Sequence, residues 1–282
     1  PNVGKSTMIN ALIGDKIAIV SDKAQTTRNR IICVYTDEEK QIVFMDTPGV
    51  HKPKHKLGEF MVDAAIESLK ETEAVLFVVA GNEKRGPGDN FIIEQLKRVK
   101  VPVFLVVNKI DTLQKEQVLE AIVSYQDAYP FAGVIPISAK NKENLSELLT
   151  VLGEHLPEGP QYFPEDMITD QPERLIISDI VREKILLSTR DEIPHAIAVD
   201  VDEMKTRDDG TTYIRATIYC ERDSQKGIII GNKGALLRKI GAEARMDIQK
   251  LLATKVYLDL WVKVKKDWRN KSGMLSELGY KK

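Results

Sequence analysis

Cysteine is scarce in this 282-residue chain, and its two copies, Cys33 and Cys220, lie far apart. Two thiols without motif spacing read as ordinary reduced residues of a cytosolic protein and exclude a disulfide-built scaffold. Histidine is equally thin, with four residues at no ligand spacing, so no zinc site is expected. Long hydrophobic runs are missing too. Nothing approaches the roughly 18 apolar residues that cross a bilayer, and no signal peptide is visible. A net charge of -1 leaves no overall excess of either sign. That near-zero balance hides an asymmetry, because residues 1–173 carry 19 Lys and Arg against 26 Asp and Glu, or -7, while residues 174–282 carry 22 against 16, or +6. Opposite signs in the two parts suggest two domains with different partners, the second anionic. A hydrophobic fraction of 43% suits a chain that buries a proper core, and the length suits about two domains.

What is present begins at once. Asn2-Val3-Gly4-Lys5-Ser6-Thr7 is the latter part of a phosphate-binding loop. Gly4 lets backbone N–H groups wrap an anion. Lys5 supplies charge for terminal phosphates, and the Ser6 hydroxyl suits Mg²⁺. A helix expected from Ser6 to about Ile13 turns its positive end to the same anion. The loop's first glycine and the strand that feeds it are lacking from the sequence.

A polar stretch, Ser21 to Arg30, then places Thr27 where nucleotide switches carry a metal-sensing threonine. Ile31–Tyr35 and Gln41–Met45 read as strands about a polar turn. The second runs into Asp46-Thr47-Pro48-Gly49, where the carboxylate holds Mg²⁺ through water and the Gly49 N–H faces a third phosphate. Basic residues 51–56 precede a helix at Leu57–Leu69. Unbroken apolar runs at 74–80 and 101–107 read as strands covered on both faces, with a helix at Asp89–Val99 between them.

Asn108-Lys109-Ile110-Asp111 ends the second of these strands and is the most informative string in the chain. The Asp111 carboxylate accepts two hydrogen bonds from guanine that adenine lacks. Asn108 ties the base pocket to the phosphate loop, and the Lys109 stem lies over the ring. After a helix at Leu113–Tyr125, a strand at 134–137 leads into Ser138-Ala139-Lys140, where backbone N–H groups meet the guanine carbonyl. Asn144–His155 closes the part as a helix. Alternating strand and helix with motif residues at strand ends describe a doubly wound α/β domain, residues 1–156. In order, these strings resemble the motif set of small GTPases.

Four prolines mark 157–172 as a linker. In residues 173–282 a helix (Glu173–Ser188), two strands (His195–Glu203 and Thr211–Arg222), the string Gly231-Asn232-Lys233-Gly234 behind an apolar turn ending at Ile230, a helix (Ala235–Ala253) and a third strand (Val256–Val264) follow. Two glycines before a helix resemble the backbone clamp of a KH domain, an α+β module of the type II order. Such a clamp grips about four unpaired nucleotides, with Lys233 adding charge. Lys263, Lys265 and Lys266, in a basic run continuing to Arg269 and Lys271, are further candidate RNA contacts.

A GTPase part followed by one KH part resembles the Era family, whose switch regions match Gln25-Thr26-Thr27-Arg28 and Asp46 to Pro53. The resemblance implies a cytoplasmic, monomeric bacterial GTPase that hydrolyses GTP with Mg²⁺. It also implies binding to the 3′ end of 16S ribosomal RNA, a role in 30S small-subunit maturation and ribosome biogenesis, and peripheral inner-membrane association. Asn2 matches an asparagine that relatives use to hold K⁺. Lys5, Thr27 and Gly49 are the expected catalytic residues, and Ser6, Thr27 and Asp46 the metal ligands. Val50 stands where many GTPases carry a water-orienting Gln, which implies slow intrinsic hydrolysis; His51 is the candidate substitute. Competing readings are a non-enzymatic RNA-binding scaffold that uses nucleotide structurally, and a two-GTPase-domain ribosome factor. The single motif set and intact clamp argue against the second.

Overall fold

The computed structural model describes residues 2–21, 23, 26–49, 53 and 55–280. The chain divides into two compact units. The first runs up to Asp170, except for Ser21–Thr26 and Pro53–Phe60, which cluster with the second unit from Gln171 onward.

In the first unit, α1 (Lys5–Ile13) is followed by an antiparallel pair, β1 (Ile31–Thr36) and β2 (Gln41–Asp46), paired from Ile31 with Asp46 to Thr36 with Gln41. Next come α2 (Lys56–Ser68), β3 (Val75–Ala80), α3 (Pro87–Leu96), β4 (Val103–Asn108), α4 (Lys115–Gln126), β5 (Gly133–Pro136) and α5 (Leu145–Gly153). Strands β3, β4 and β5 form a parallel sheet with β4 in the middle. All six β4 residues are buried. Phe104 and Val106 pack with Leu145, Leu148 and Leu152 on one face, and Leu105 and Val107 with Ile93, Leu96 and Tyr125 on the other. That two-sided burial is why the strands lack polar alternation.

Among the described residues the strands of the first unit form two sheets, β1-β2 and β3-β4-β5. β2 and β3 are not paired; they flank a cleft of about 400 Å³ that Met8 and Ile9 of α1 also line. Part of the expected linker is laced to β1 and β2. The Val34 N–H donates to the Ile168 carbonyl at 2.9 Å, Thr169 bridges to Cys33, and the Gln41 amide donates to the Phe163 carbonyl at 2.9 Å. An edge strand with free backbone groups takes whatever extended chain passes by.

The second unit contains α6 (Glu173–Ser188), a one-turn helix α7 (Ile193–Ala196), β6 (Ala198–Thr206), β7 (Thr212–Cys220), α8 (Asp223–Ile230), α9 (Ala235–Leu252), β8 (Val256–Val264) and α10 (Ser272–Glu277). Strand order is β6-β7-β8, antiparallel then parallel. Helices α6, α8 and α9 cover one face: Ile177, Val181 and Ile185 meet Ile214, Ile218, Ile229, Ile240 and Ile248 in one core.

Two expectations fail here. The first strand begins at Ala198, not His195, because Ile193–Ala196 is helical, with Pro194 in its first turn where a missing N–H costs nothing. The apolar turn before Gly231 is helix α8. The Gln225 side-chain oxygen accepts the Glu221 and Arg222 N–H groups at 2.9 and 3.1 Å, an N-terminal cap that the isoleucine run obscured.

Candidate functional site: a phosphate loop, a base pocket and a backbone clamp

Gly4 sits at φ 92°, a left-handed backbone that β-carbons resist. A Cβ there would stand 2.3 Å from Asn108 Nδ2. The close approach has a purpose. Asn108, 2% exposed, donates to the Val3 carbonyl at 2.8 Å and accepts the Ala139 N–H at 3.0 Å. One side chain thus pins the phosphate loop to the loop after β5. No acidic residue of α1 itself lies in its first turn.

Three oxygens converge beside this loop. Ser6 Oγ donates to Asp46 Oδ2 at 2.7 Å, Thr27 Oγ1 donates to the same oxygen at 3.2 Å, and the two hydroxyls lie 3.0 Å apart. Thr27 and Asp46 are buried, and Asp46 Oδ1 has no hydrogen-bond partner. Burial raises the Asp46 carboxyl above the usual carboxylate range, while Lys5, the two hydroxyls and the Thr47 N–H oppose the rise. A buried carboxylate with an orphaned oxygen, facing two hydroxyls, is a hard-oxygen donor set. It fits Mg²⁺, which is held by few protein ligands plus substrate phosphate. Among the described residues no cluster of three His, Cys, Asp or Glu side chains could hold a metal.

Asp111 lies just past β4 in a short 3₁₀ turn, exposed, with one oxygen accepting the Ser138 hydroxyl at 2.7 Å. The same Ser138 Oγ accepts the Asn141 N–H at 3.1 Å. Lys109 takes a left-handed φ of 69°, and its ammonium lies 3.8 Å from Glu83. Ser138 and Ala139 are buried and Lys140 is exposed. The strings after β4 and β5 therefore meet at the carboxyl edge of one sheet, and Asn108 fastens the phosphate loop to them. Gly49 is described and half-buried. Gln25, Val50 and His51 lie outside the described residues.

In the second unit, Gly231 (φ 72°) and Gly234 (φ 78°) break α8 from α9. A Cβ on Gly231 would meet Leu236 Cβ at 2.8 Å, so no larger residue fits. Lys233 projects from a turn closed by the Gly234 N–H on the Gly231 carbonyl at 3.2 Å, and it is exposed like Asn232. Lys233 and Gly234 open onto a cavity of about 500 Å³ walled by Leu237, Arg238, Gly241, Arg245, Tyr257, Leu258 and Leu260. Apolar floor and basic rim are what unpaired bases on a phosphate backbone require. The sequence reading missed Arg238, Arg245 and Tyr257. The 238–241–245 spacing, one stripe of α9, was the available signal. Lys263, Lys265 and Lys266 are exposed and do not line this cavity. Arg269 of the same basic run is paired with Glu221 at 2.6 Å.

Fold and sites together define a phosphate-loop GTPase joined to a KH module. A family model described as "50S ribosome-binding GTPase" matches residues 1–109, and one described as "KH domain" matches residues 192–269. The chain is 56% identical over 281 residues to a GTPase Era of Alkaliphilus metalliredigens (strain QYMF), covering 99% of this chain and 95% of the relative. It superposes on Aquifex aeolicus Era bound to GDP and AlF4⁻ with a TM-score of 0.96, at 43% identity and over 99% and 96% of the two chains. An Era complex with MgGDPNP and nucleotides 1506–1542 of 16S ribosomal RNA matches equally well, with a TM-score of 0.96, 42% identity and 99% and 95% coverage. The chain belongs to the Era family of GTPases.

Proposed function

We propose that the chain is a GTP-hydrolysing switch that binds the 3′ end of 16S ribosomal RNA through its KH groove and assists 30S maturation. The convergence of Ser6, Thr27 and Asp46 beside the phosphate loop carries this reading, because it gathers the kind of oxygen donors that a phosphate-bound Mg²⁺ takes. In the same reading Lys5 neutralises the terminal phosphates and the Gly49 N–H faces the third phosphate. Asp111 selects guanine, Lys109 covers the ring, and Asn108 holds base pocket and phosphate loop in one register. Ser6, Thr27 and Asp46 would hold Mg²⁺, which would supply charge neutralisation for the phosphates. The chain's part is to orient the nucleotide and to position Thr27 so that it answers to the third phosphate.

RNA binding falls to Ile230 through Gly234, with Lys263, Lys265 and Lys266 as outer phosphate contacts. Support comes from the relative solved with nucleotides 1506–1542 of 16S ribosomal RNA. Nucleotide state then alters RNA affinity through Thr27 and the segment after Gly49. With Val50 unable to orient water, intrinsic hydrolysis is slow. Asn2, exposed at φ 62°, holds K⁺ beside the phosphates. Among the described residues no helix is long and apolar enough to cross a membrane. The protein works as a cytoplasmic monomer with peripheral attachment to the inner membrane.

A single-turnover GTP assay with and without the RNA separates this from a scaffold that holds nucleotide structurally. Phosphate release stimulated by RNA, and faster in KCl than in NaCl, is the expected result, with the loop's first residues present. No release under either condition excludes the switch, and equal rates in the two salts exclude the K⁺ site.

A further inference from the structure

Helix α6 buries an arginine. Arg182 is 2% exposed, on a helix that turns Ile177, Val181 and Ile185 to the core of the second unit. Its Nε and Nη2 both donate to Asp179 Oδ1 one turn earlier, at 3.1 and 3.0 Å, and Nη2 also donates to the Thr26 carbonyl. Nη1 is buried without a hydrogen-bond partner. Such an arrangement does little for stability. Apolar side chains of similar volume often match or better a buried ion pair, and an unsatisfied N–H adds a desolvation cost. The arginine therefore needs a reason other than packing, and the Thr26 carbonyl supplies one.

The segment Ser21–Thr26 groups with the second unit. Its described residues are tied to one another. The Thr26 hydroxyl donates to the Lys23 carbonyl at 2.6 Å and lies 2.8 Å from Ser21 Oγ, which accepts the Lys23 N–H at 3.1 Å. The next residue along the chain is Thr27, whose hydroxyl shares Asp46 Oδ2 with Ser6. The Thr26 carbonyl and the Thr27 N–H belong to one planar peptide group. A guanidinium that holds the carbonyl fixes that plane, and with it where Thr27 Oγ1 can reach.

We propose that Arg182 is a positioning residue for GTP: it holds the Thr26–Thr27 peptide so that the Thr27 hydroxyl meets the third phosphate and its metal. This rests on the reading of Thr27 given above. It makes a helix of the RNA-binding part a contributor to the choice between GTP and GDP.

The test compares the binding of fluorescent GDP and of a fluorescent, non-hydrolysable GTP analogue to the full chain in Mg²⁺, with denaturant unfolding as a check on the fold. Arg182→Met keeps an unbranched stem and removes the donors. It should weaken the GTP analogue about 10-fold, the lower end for a hydrogen bond to a charged group, while GDP, with no third phosphate for Thr27 to meet, binds as it does to the wild type. Arg182→Lys, which retains a charged donor, should recover part of the loss. A purely structural arginine would lower stability and weaken both nucleotides alike. Equal losses for the two nucleotides, or none for either, overturn the proposal. If Arg182→Met does not fold, Asp179→Asn decides, because it loosens the guanidinium from a half-buried position. A smaller loss confined to the GTP analogue then supports the bond, and an unchanged ratio of the two affinities refutes it. Thr27→Ala separates the proposal from the reading beneath it. Selective loss in Thr27→Ala but not in Arg182→Met removes Arg182 alone, and no selective loss in Thr27→Ala removes the switch reading as well.

Discussion

Three residues of the first unit each allow a sharp test. Gly4→Ala combines a left-handed backbone with a β-carbon 2.3 Å from Asn108 Nδ2. Strain of about 1–3 kcal/mol plus the displaced asparagine predicts a loss of GDP affinity of about 10-fold or more, measurable with a fluorescent guanine nucleotide. Asp111→Asn replaces an acceptor by a donor. Guanine affinity should fall about 100-fold or more, the worth of two charge-assisted bonds, while xanthine nucleotides, with a carbonyl at that carbon, gain relative to guanine. Equal losses for both bases would remove Asp111 from base selection. Cys33 gives a chemical prediction. Burial first, then the Asp46 and Asp170 charges, push its thiol up to about 12. With no accessible surface and little thiolate at pH 8, it should resist iodoacetamide until the first unit unfolds. Rapid labelling of the native chain would contradict that.

At the scale of elements, the link between α6 and α9 is the informative one. Lys184 on α6 reaches Asp247 on α9 at 2.6 Å and its neighbour Glu183 at 3.2 Å, and Glu183 is 2% exposed. Lys184→Met removes a cation shared by two carboxylates and should cost about 3 kcal/mol, read by denaturant unfolding of the second unit. Burial lowers the Lys184 pKa, but the two carboxylates outweigh it and the net shift is upward. A raised folded-state pKa stabilises fully below the unfolded value near 10.4. The contribution therefore holds at neutral pH and fades as pH climbs above about 10 through the folded value. Midpoints of wild type and Lys184→Met should converge there. The clamp between α8 and α9 is equally intolerant: Gly231→Ala drives a β-carbon into Leu236 and should weaken RNA binding.

Elements also show where the sequence was legible. Strands β3 and β4 announce themselves because two-sided burial leaves no polar position. Helix α8 did not, since Gly227-Ile228-Ile229-Ile230 has no polar stripe. Its cap is a Gln225 side chain folding back on Glu221 and Arg222, a contact no local pattern signals. The pairing of β1 with the segment around Ile168 was hidden for a related reason. A proline-rich stretch reads as linker whether or not an unpaired edge awaits it.

For the whole molecule, the charge asymmetry of -7 and +6 predicts salt-sensitive RNA binding. Affinity should fall linearly in a plot of log K against log salt, with a slope of about -0.7 per phosphate neutralised on a single strand. Lys233→Asp should make that slope shallower. A slope of zero would show that the basic second part does not meet a phosphate backbone.

Motif strings by themselves determined the nucleotide chemistry, because phosphate loops and guanine pockets use side chains and glycines at fixed offsets within single loops. The proposed roles of Gly4, Asp46, Asn108 and Asp111 come from such strings. Only the tertiary structure decided that Asn108 fastens the phosphate loop to Ala139, and that Thr27 and Ser6 share one oxygen of Asp46. It alone brought Tyr257 of β8 to the same cavity as Lys233. Those relations join residues tens of positions apart, and strand register and helix packing, which no local spacing encodes, bring them together.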